Sequence, residues 1–319
     1  MKQSFVSGHT ACGGCGQAMA AKLIINAIGS NAIVANATGC LEVFSAGYPH
    51  SSWGVPFIHS LFENAAAVAS GIESAMKHLG REDITVISEA GDGGTGDIGL
   101  QALSGMWERG QNILSICYDN EAYMNTGIQR SGLTPLNANT TTSPSGKEST
   151  GNWRPKKNLP EIAVAHNCVY VATASVGYPA DLQRKVKKAV SMRGPKYLHV
   201  FVPCPLGWRH DQSLTYEISR AAVQTGLVPL MEYENGVRTS VFSLTEARPV
   251  EDYLKPQGRF AHLFKDTPVA KAELERVRKI ANHNVEKYGL LKKTSRPVSQ
   301  PASQPVSQPA SQPAEDKTS

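Results

Sequence analysis

Four cysteines and one Asp–Asn pair stand out as residues whose types and spacing suit chemistry. Cys12 and Cys15 form a Cys-x-x-C flanked by glycines, Cys40 follows in NATGC, and Cys204 stands in VPCPLGW. A Cys-x-x-C joined by two distant thiols suits a thiolate-bound metal, zinc or iron–sulfur, and spacing alone does not separate the two. Glycines around Cys12 and Cys15 free backbone amides to point at the sulfurs, which favours the added negative charge of a reduced cluster. Cys117 and Cys168 fall in apolar runs and read as small core side chains.

The second constellation lies in residues 84–129, ITVISEAGDGGTGDIGLQALSGMWERGQNILSICYDNEAYMNTGIQ. The segment parses as strand, Gly-Asp-Gly turn, helix and strand, ending in Asp119–Asn120. A right-handed crossover makes the two strands parallel and places both turns outside their carboxyl ends. Asp92 and Asn120 then converge on one crevice as hard oxygen ligands suited to magnesium, which also accepts phosphate oxygens. Gly91, Gly93, Gly94 and Gly96 let backbone amides approach a phosphate at a helix N-terminus. A competing reading takes Gly91, Gly93 and Gly96 as the Gly-x-Gly-x-x-Gly of a nicotinamide dinucleotide site, with Asp119 as its ribose-binding acid. It leaves Asp92 aiming a carboxylate at a pyrophosphate with no metal between them.

Both constellations need a scaffold that aims strand ends at one place. Apolar β-branched runs at residues 31–36, 84–88, 113–118, 169–172 and 197–202 alternate with helix-period segments at 17–28, 61–79, 97–109, 180–192 and 216–225. That alternation predicts an α/β fold, a mostly parallel sheet with helices on both faces. Residues 1–245 are expected to form this domain, residues 246–291 a partly helical C-terminal extension, and residues 292–319 a disordered tail. The tail carries PVSQ-PASQ-PVSQ-PASQ, which has a proline at every fourth position and nothing to bury. Residues 130–157 form a polar loop too long for a mere connector. The small-sided stretch AAAVASG, residues 65–71, demands a close neighbour, the sheet or a partner helix.

With 41% hydrophobic residues and a net charge of +5 spread along the chain, a folded core is expected and nucleic acid is not. The sequence shows neither a secretory leader nor an apolar run of the roughly 18 residues that span a bilayer, so no membrane and a cytoplasmic, reducing location are expected. His9, His50, His59 and His210 sit in no catalytic pattern. Asp97 reads as the N-cap of the helix after the glycine turn. Glu63 and Asn64 read either as cofactor-orienting groups or as ordinary helix polarity.

The wording of GDGGTGDIGLQALSG and CYDNEAYMNTGIQRS resembles the thiamine-diphosphate motif of the β subunit of the pyruvate:ferredoxin oxidoreductase (pyruvate synthase) family. The resemblance runs from about residue 8 to 208 and loosely to about 240. It implies the thiamine-diphosphate-binding fold, with Asp92, Asn120 and the backbone carbonyl of Ala122 holding Mg2+, and Gly91, Gly93 and Gly94 around the diphosphate. It further implies an active-site role for Asn125 beside the thiazolium ring and a cofactor contact for Phe62, whose other reading is a core aromatic. Cys12, Cys15, Cys40 and Cys204 would bind one [4Fe–4S] cluster, with Cys40 also near the thiamine. Gln17 departs from the glutamate that some relatives carry beside the cofactor.

The activity so implied is oxidative decarboxylation of pyruvate to acetyl-CoA and CO2, reversible, with electrons passed to ferredoxin. Related 2-oxo acids such as 2-oxoisovalerate and oxalate remain open as substrates. So do, outside the family, a nicotinamide-dependent dehydrogenase and a non-catalytic metal-binding scaffold. The acid that activates thiamine comes from another domain in such enzymes, so the resemblance implies an α subunit that supplies it, with γ and ferredoxin-like δ subunits. The chain alone is then expected to be inactive.

Overall fold

Alternation along the central strands sends successive side chains to opposite faces, and both faces are apolar. Val34, Ile87, Leu114, Ile116, Leu198 and Val200 enter one core, while their neighbours Ala35, Val86, Ile113, Cys117 and Tyr197 enter another. Such strands are stable only with helices on both sides. The computed structural model describes residues 4–292 and meets that requirement; apart from its first residue, the expected tail lies outside the described residues.

Among the described residues are eight strands: β1 Ala32–Ala37, β2 Phe57–Ser60, β3 Thr85–Gly91, β4 Ile113–Asp119, β5 Tyr170–Ser175, β6 Lys196–Phe201, β7 Met231–Glu234 and β8 Val237–Val241. They form one sheet in the order β2-β1-β3-β4-β6-β5-β7-β8. The first six run parallel, and β7 and β8 add an antiparallel edge. The helices Gly16–Ile28 and Pro179–Ser191 cover the first core. Ala65–His78, Leu100–Glu108 and Leu159–Ala165 cover the second. Ala66 and Ala69 pack there with Leu103, Met106 and Trp107, so the small-sided stretch lies against its own sheet and a neighbouring helix.

The C-terminal helix Pro268–Tyr288 buries Val277 and Ala281 in a third core with Phe201, Trp208, Ile218 and Phe260. This core ties the extension to the strand end that precedes Cys204.

Two elements differ from expectation in ways that matter for the site. The helix expected from residue 61 begins at Ala65, which leaves Phe62 and Glu63 on the segment leaving β2. The glycine turn itself coils into a short helix, Asp92–Gly96, and the next helix starts only at Leu100. Asp97 is therefore no N-cap: it ends the short helix, and its carboxylate accepts from Tyr123, the Gly132 amide and Lys157. The 130–157 loop is more than a connector, as expected: Ser131, Leu133, Thr134, Asn137, Ala138 and Asn152 are all buried.

Candidate cofactor and metal site

The site is built at one edge of the sheet. Register sets Gly91 beside Tyr118 and Asp119 beside Phe201, so the chain leaves β3, β4 and β6 at nearly the same level. The neighbouring β1 and β2 point the same way. Their carboxyl ends deliver Phe62, Cys40, Asp92, Asn120 and Cys204 in turn. A crevice outside the carboxyl ends of parallel strands is where open α/β sheets take ligands.

A cavity of about 320 Å³ lies there, lined by Cys40, Phe62, Gly91, Asp92, Gly93, Gly94, Asn120, Ala122 and Asn125. All nine were expected at the cofactor, and they border one space. Thr38, Gly39, Tyr123 and Met124, which sequence reasoning missed, share it, as do Gln17 and Glu63. Phe62 is half-buried on the wall, its ring 5.6 Å from that of Tyr123 in an edge-on pair, so it is not a core aromatic. A Cβ at Gly39 or Gly91 would meet no protein atom within 4 Å, whereas Gly93 is needed because a side chain would strike the Tyr123 ring. Gly96 lies away from the cavity, under Leu133 of the long loop.

Three oxygens converge on the cavity wall. The side-chain oxygen of Asn120 stands 2.8 Å from the carbonyl oxygen of Ala122 and 3.0 Å from Oδ1 of Asp92. All three are acceptors, so either the Asn120 amide turns over to donate to both or a cation lies among them. Adjacent ligands of an octahedral ion with bonds of 2.0–2.1 Å stand roughly 2.9 Å apart. The spacing therefore fits magnesium. Glu121 makes the approach possible by taking φ +68°, which folds the chain back after β4 and puts Asn120 and Ala122 on the same side.

A second layer holds these ligands. Ser131 Oγ donates to Asp92, and Trp208 Nε1 donates to the Asn120 carbonyl at 2.7 Å. Arg259 stacks on Trp208 at 3.8 Å and pairs with Glu121. Lys156 pairs with Asp119 and with Glu121. Burial and then the charge of Asp119 push the Asp92 carboxyl up from the ordinary range. Burial acts on Asp119 in the same direction, but Lys156 and His199 outweigh it and hold that carboxyl at about 2.

Asp119 itself faces away from the cofactor cavity, into a second space of about 300 Å³ walled by Leu227, Val228, Tyr253 and Tyr288. Already paired with Lys156 and His199, it is not placed to bind a ribose at the glycine turn. The dinucleotide reading loses its acid. None of these second-layer residues carries a local motif, and only their spatial convergence identifies them.

The four expected metal-binding thiols come together from three segments. Gly16 N donates to Pro203 O at 3.2 Å, and Thr215 Oγ1 donates to Gly14 O at 2.7 Å, stitching the Cys12–Cys15 loop to the strand end that carries Cys204. Glycine is required at 14 and 16, because a side chain would strike the backbone of Gln212 or of Pro203. Burial and then the neighbouring thiols push Cys40 up to about 12, while Cys204 rises to about 11 by burial. Cys15 is the N-cap of Gly16–Ile28, Cys40 opens Cys40–Ser45, and Cys204 is the N-cap of Pro205–Trp208. Backbone N–H groups of Gln17 and Ala18 at Cys15, and of Gly207 at Cys204, favour anionic sulfur there.

Among the described residues, no three His, Cys, Asp or Glu side chains close on a single point as ligands of one ion would. The expected magnesium ligands fall outside that description because two of the three are amide and carbonyl oxygens. A four-iron cluster does not require such closeness of its thiolates, since each sulfur binds a different iron. Tetrahedral zinc does, with sulfurs roughly 3.8 Å apart. Cys117 and Cys168 are buried elsewhere, in the second core.

A profile for the thiamine pyrophosphate enzyme, C-terminal TPP binding domain, matches residues 37–200. The chain is 53% identical over 290 residues to the pyruvate synthase subunit PorB of Methanosarcina barkeri, covering 91% of this chain and 98% of that protein. It is 46% identical over 292 residues to the ketoisovalerate oxidoreductase subunit VorB of Pyrococcus abyssi, covering 88% and 94%. Among solved structures, the 2-oxoglutarate:ferredoxin oxidoreductase of Magnetococcus marinus superposes with a TM-score of 0.54 at 24% identity, over 69% of this chain and 80% of that one. That last likeness concerns the fold. Among the described residues no helix is long and apolar enough to cross a membrane.

Proposed function

The chain belongs to the PorB family of pyruvate synthase subunits, and from that premise we propose that it is the thiamine-diphosphate- and iron–sulfur-binding subunit of a 2-oxoacid:ferredoxin oxidoreductase acting on pyruvate. The observation that carries this reading is the Asn120 side-chain oxygen, 2.8 Å from the Ala122 carbonyl oxygen and 3.0 Å from Asp92 Oδ1, on the wall of a cavity that Cys40 also lines. When bound, thiamine diphosphate supplies the carbon that attacks a 2-oxo acid, and a four-iron cluster supplies a one-electron acceptor.

The protein's own residues supply position and exclusion. Asp92, Asn120 and the Ala122 carbonyl would hold Mg2+ against the diphosphate, with the open backbone at Gly91 beside it and Gly93 and Gly94 in the following turn. Phe62 and Tyr123 give the organic rings an apolar wall. Asn125, exposed at the mouth of the cavity, would donate a hydrogen bond to a reacting carbonyl or carboxylate. Cys12, Cys15, Cys40 and Cys204 would hold one [4Fe–4S] cluster, and Cys40 brings it to the cavity wall.

Gln17, an amide, stands where some relatives carry a glutamate beside the cofactor, and the acid that activates thiamine comes from another domain in such enzymes. This supports an α subunit that completes the site, alongside γ and ferredoxin-like δ subunits, with coenzyme A and ferredoxin as co-substrates in the cytoplasm. Greater identity to PorB than to VorB favours pyruvate; the VorB likeness makes 2-oxoisovalerate the second reading. The test is anaerobic isolation of the chain with its partner subunits, assay of iron, sulfide and thiamine, and coenzyme-A-dependent ferredoxin reduction with a panel of 2-oxo acids. Pyruvate should give the highest kcat/KM. A complex without iron or thiamine, or turnover by the chain alone, overturns the proposal.

A further inference from the structure

Met124 belongs to both constellations at once. Its side chain lines the cofactor cavity, and its Sδ fills the space beside Gly207, where an added Cβ would strike that sulfur and come within 3.4 Å of Cys204 Sγ. Gly207 also donates its amide to Cys204 Sγ at 3.4 Å, so this position serves the sulfur with its N–H and leaves a notch for the methionine. The backbone that carries Met124 is anchored through its neighbour Tyr123. Tyr123 N donates to Gln129 O, Ile128 N donates to Tyr123 O, and the Tyr123 hydroxyl is anchored on Asp97.

A thioether in that place has a definite physical effect. It is apolar, polarizable and has no donor hydrogen, so it excludes water from one side of the thiolate without adding a hydrogen bond. Hydrogen bonds to cluster sulfurs and solvent access both stabilise the more negative, reduced state and raise the reduction potential.

We propose that Met124 is a positioning residue that separates the cofactor cavity from Cys204 and keeps the potential of the cluster low by shielding that sulfur from donors. The inference rests on the reading that the four thiols hold a four-iron cluster. The full chain, reconstituted anaerobically with iron and sulfide so that a single cluster is seen, provides the test. Potentiometric titration followed by electron paramagnetic resonance compares it with Met124→Leu, Met124→Gln and Met124→Ala. Met124→Leu should keep the wild-type potential. Met124→Gln, which places an amide donor beside Cys204, and Met124→Ala, which opens the notch to water, should both shift to less negative values.

If either the Gln or the Ala variant retains its cluster at the wild-type potential, the inference is wrong. A wild-type chain that assembles no four-iron cluster overturns the underlying reading, and the inference with it.

Discussion

Lys156 places its ammonium 2.5 Å from the buried carboxylate of Asp119, the residue just before Asn120. The same ammonium stands 2.7 Å from Glu121, just after it. The long loop thus clamps both neighbours of a proposed magnesium ligand with one cation. Lys156→Met leaves two buried carboxylates without that partner, and breaking a buried pair costs on the order of 3 kcal/mol. Urea unfolding should show a loss of that size. Adding Asp119→Asn to Lys156→Met should recover part of it, and a double variant no more stable than the single one contradicts the clamp.

Asp92→Asn and Asn120→Leu should weaken Mg2+-dependent thiamine diphosphate binding by about 100-fold or more, since even outer-layer changes at metal sites reach that range. Calorimetry with and without Mg2+ measures this directly. Ser131→Ala, which removes only the hydroxyl donating to Asp92, should weaken binding by roughly 10-fold. Equal affinities across the series would dissociate these residues from the metal.

Glu89 lies on β3, fully enclosed, and accepts from Asn36 at 2.9 Å and Tyr118 at 3.0 Å. Burial raises its carboxyl to about 7 despite those two donors. The folded state therefore keeps a proton that the unfolded chain releases near pH 4.5. Stability attributable to this group is full at low pH, declines between about pH 4.5 and 7, and stays reduced above that. The difference corresponds to roughly 3 kcal/mol at pH 8. Glu89→Gln should raise Tm at pH 8 and change it little at pH 4.5. An equal effect at both pH values excludes the linkage.

Cys12→Ser, Cys15→Ser, Cys40→Ser and Cys204→Ser should each lower the cluster content of the reconstituted chain, whereas Cys117→Ala and Cys168→Ala should retain it. Iron and sulfide analysis separates the groups. The buried alanine variants should lose about 1 kcal/mol of stability through lost packing. Retention of full iron in any of the four serine variants would remove that residue from the ligand set.

The parallel sheet and the Asp92/Asn120 crevice were legible because the information is local. Each ligand follows an apolar run whose length and β-branching announce a strand, and a crossover fixes how two such ends meet. Ser131, Lys156, Trp208 and Arg259 were not legible, because each reaches the site through a packing arrangement with no sequence period of its own. Asp97 was misread for a different reason. A glycine run is expected to stay a turn, yet here tight packing under Tyr123, Phe62 and Leu133 lets it coil, which moves the helix start past the aspartate. One element was overlooked although its signal was plain: Asn235 and Gly236, both at positive φ, join β7 and β8 as a two-residue hairpin.

All the proposed chemistry hangs from the carboxyl ends of the parallel strands, and among the described residues the opposite end includes several short returns from helix to strand. Gly80 and Gly110, whose added Cβ atoms would meet open space, sit on two of these returns. New termini or inserted reporter modules placed there would leave the crevice undisturbed, so the chain is open to circular permutation on that side and closed to it on the other.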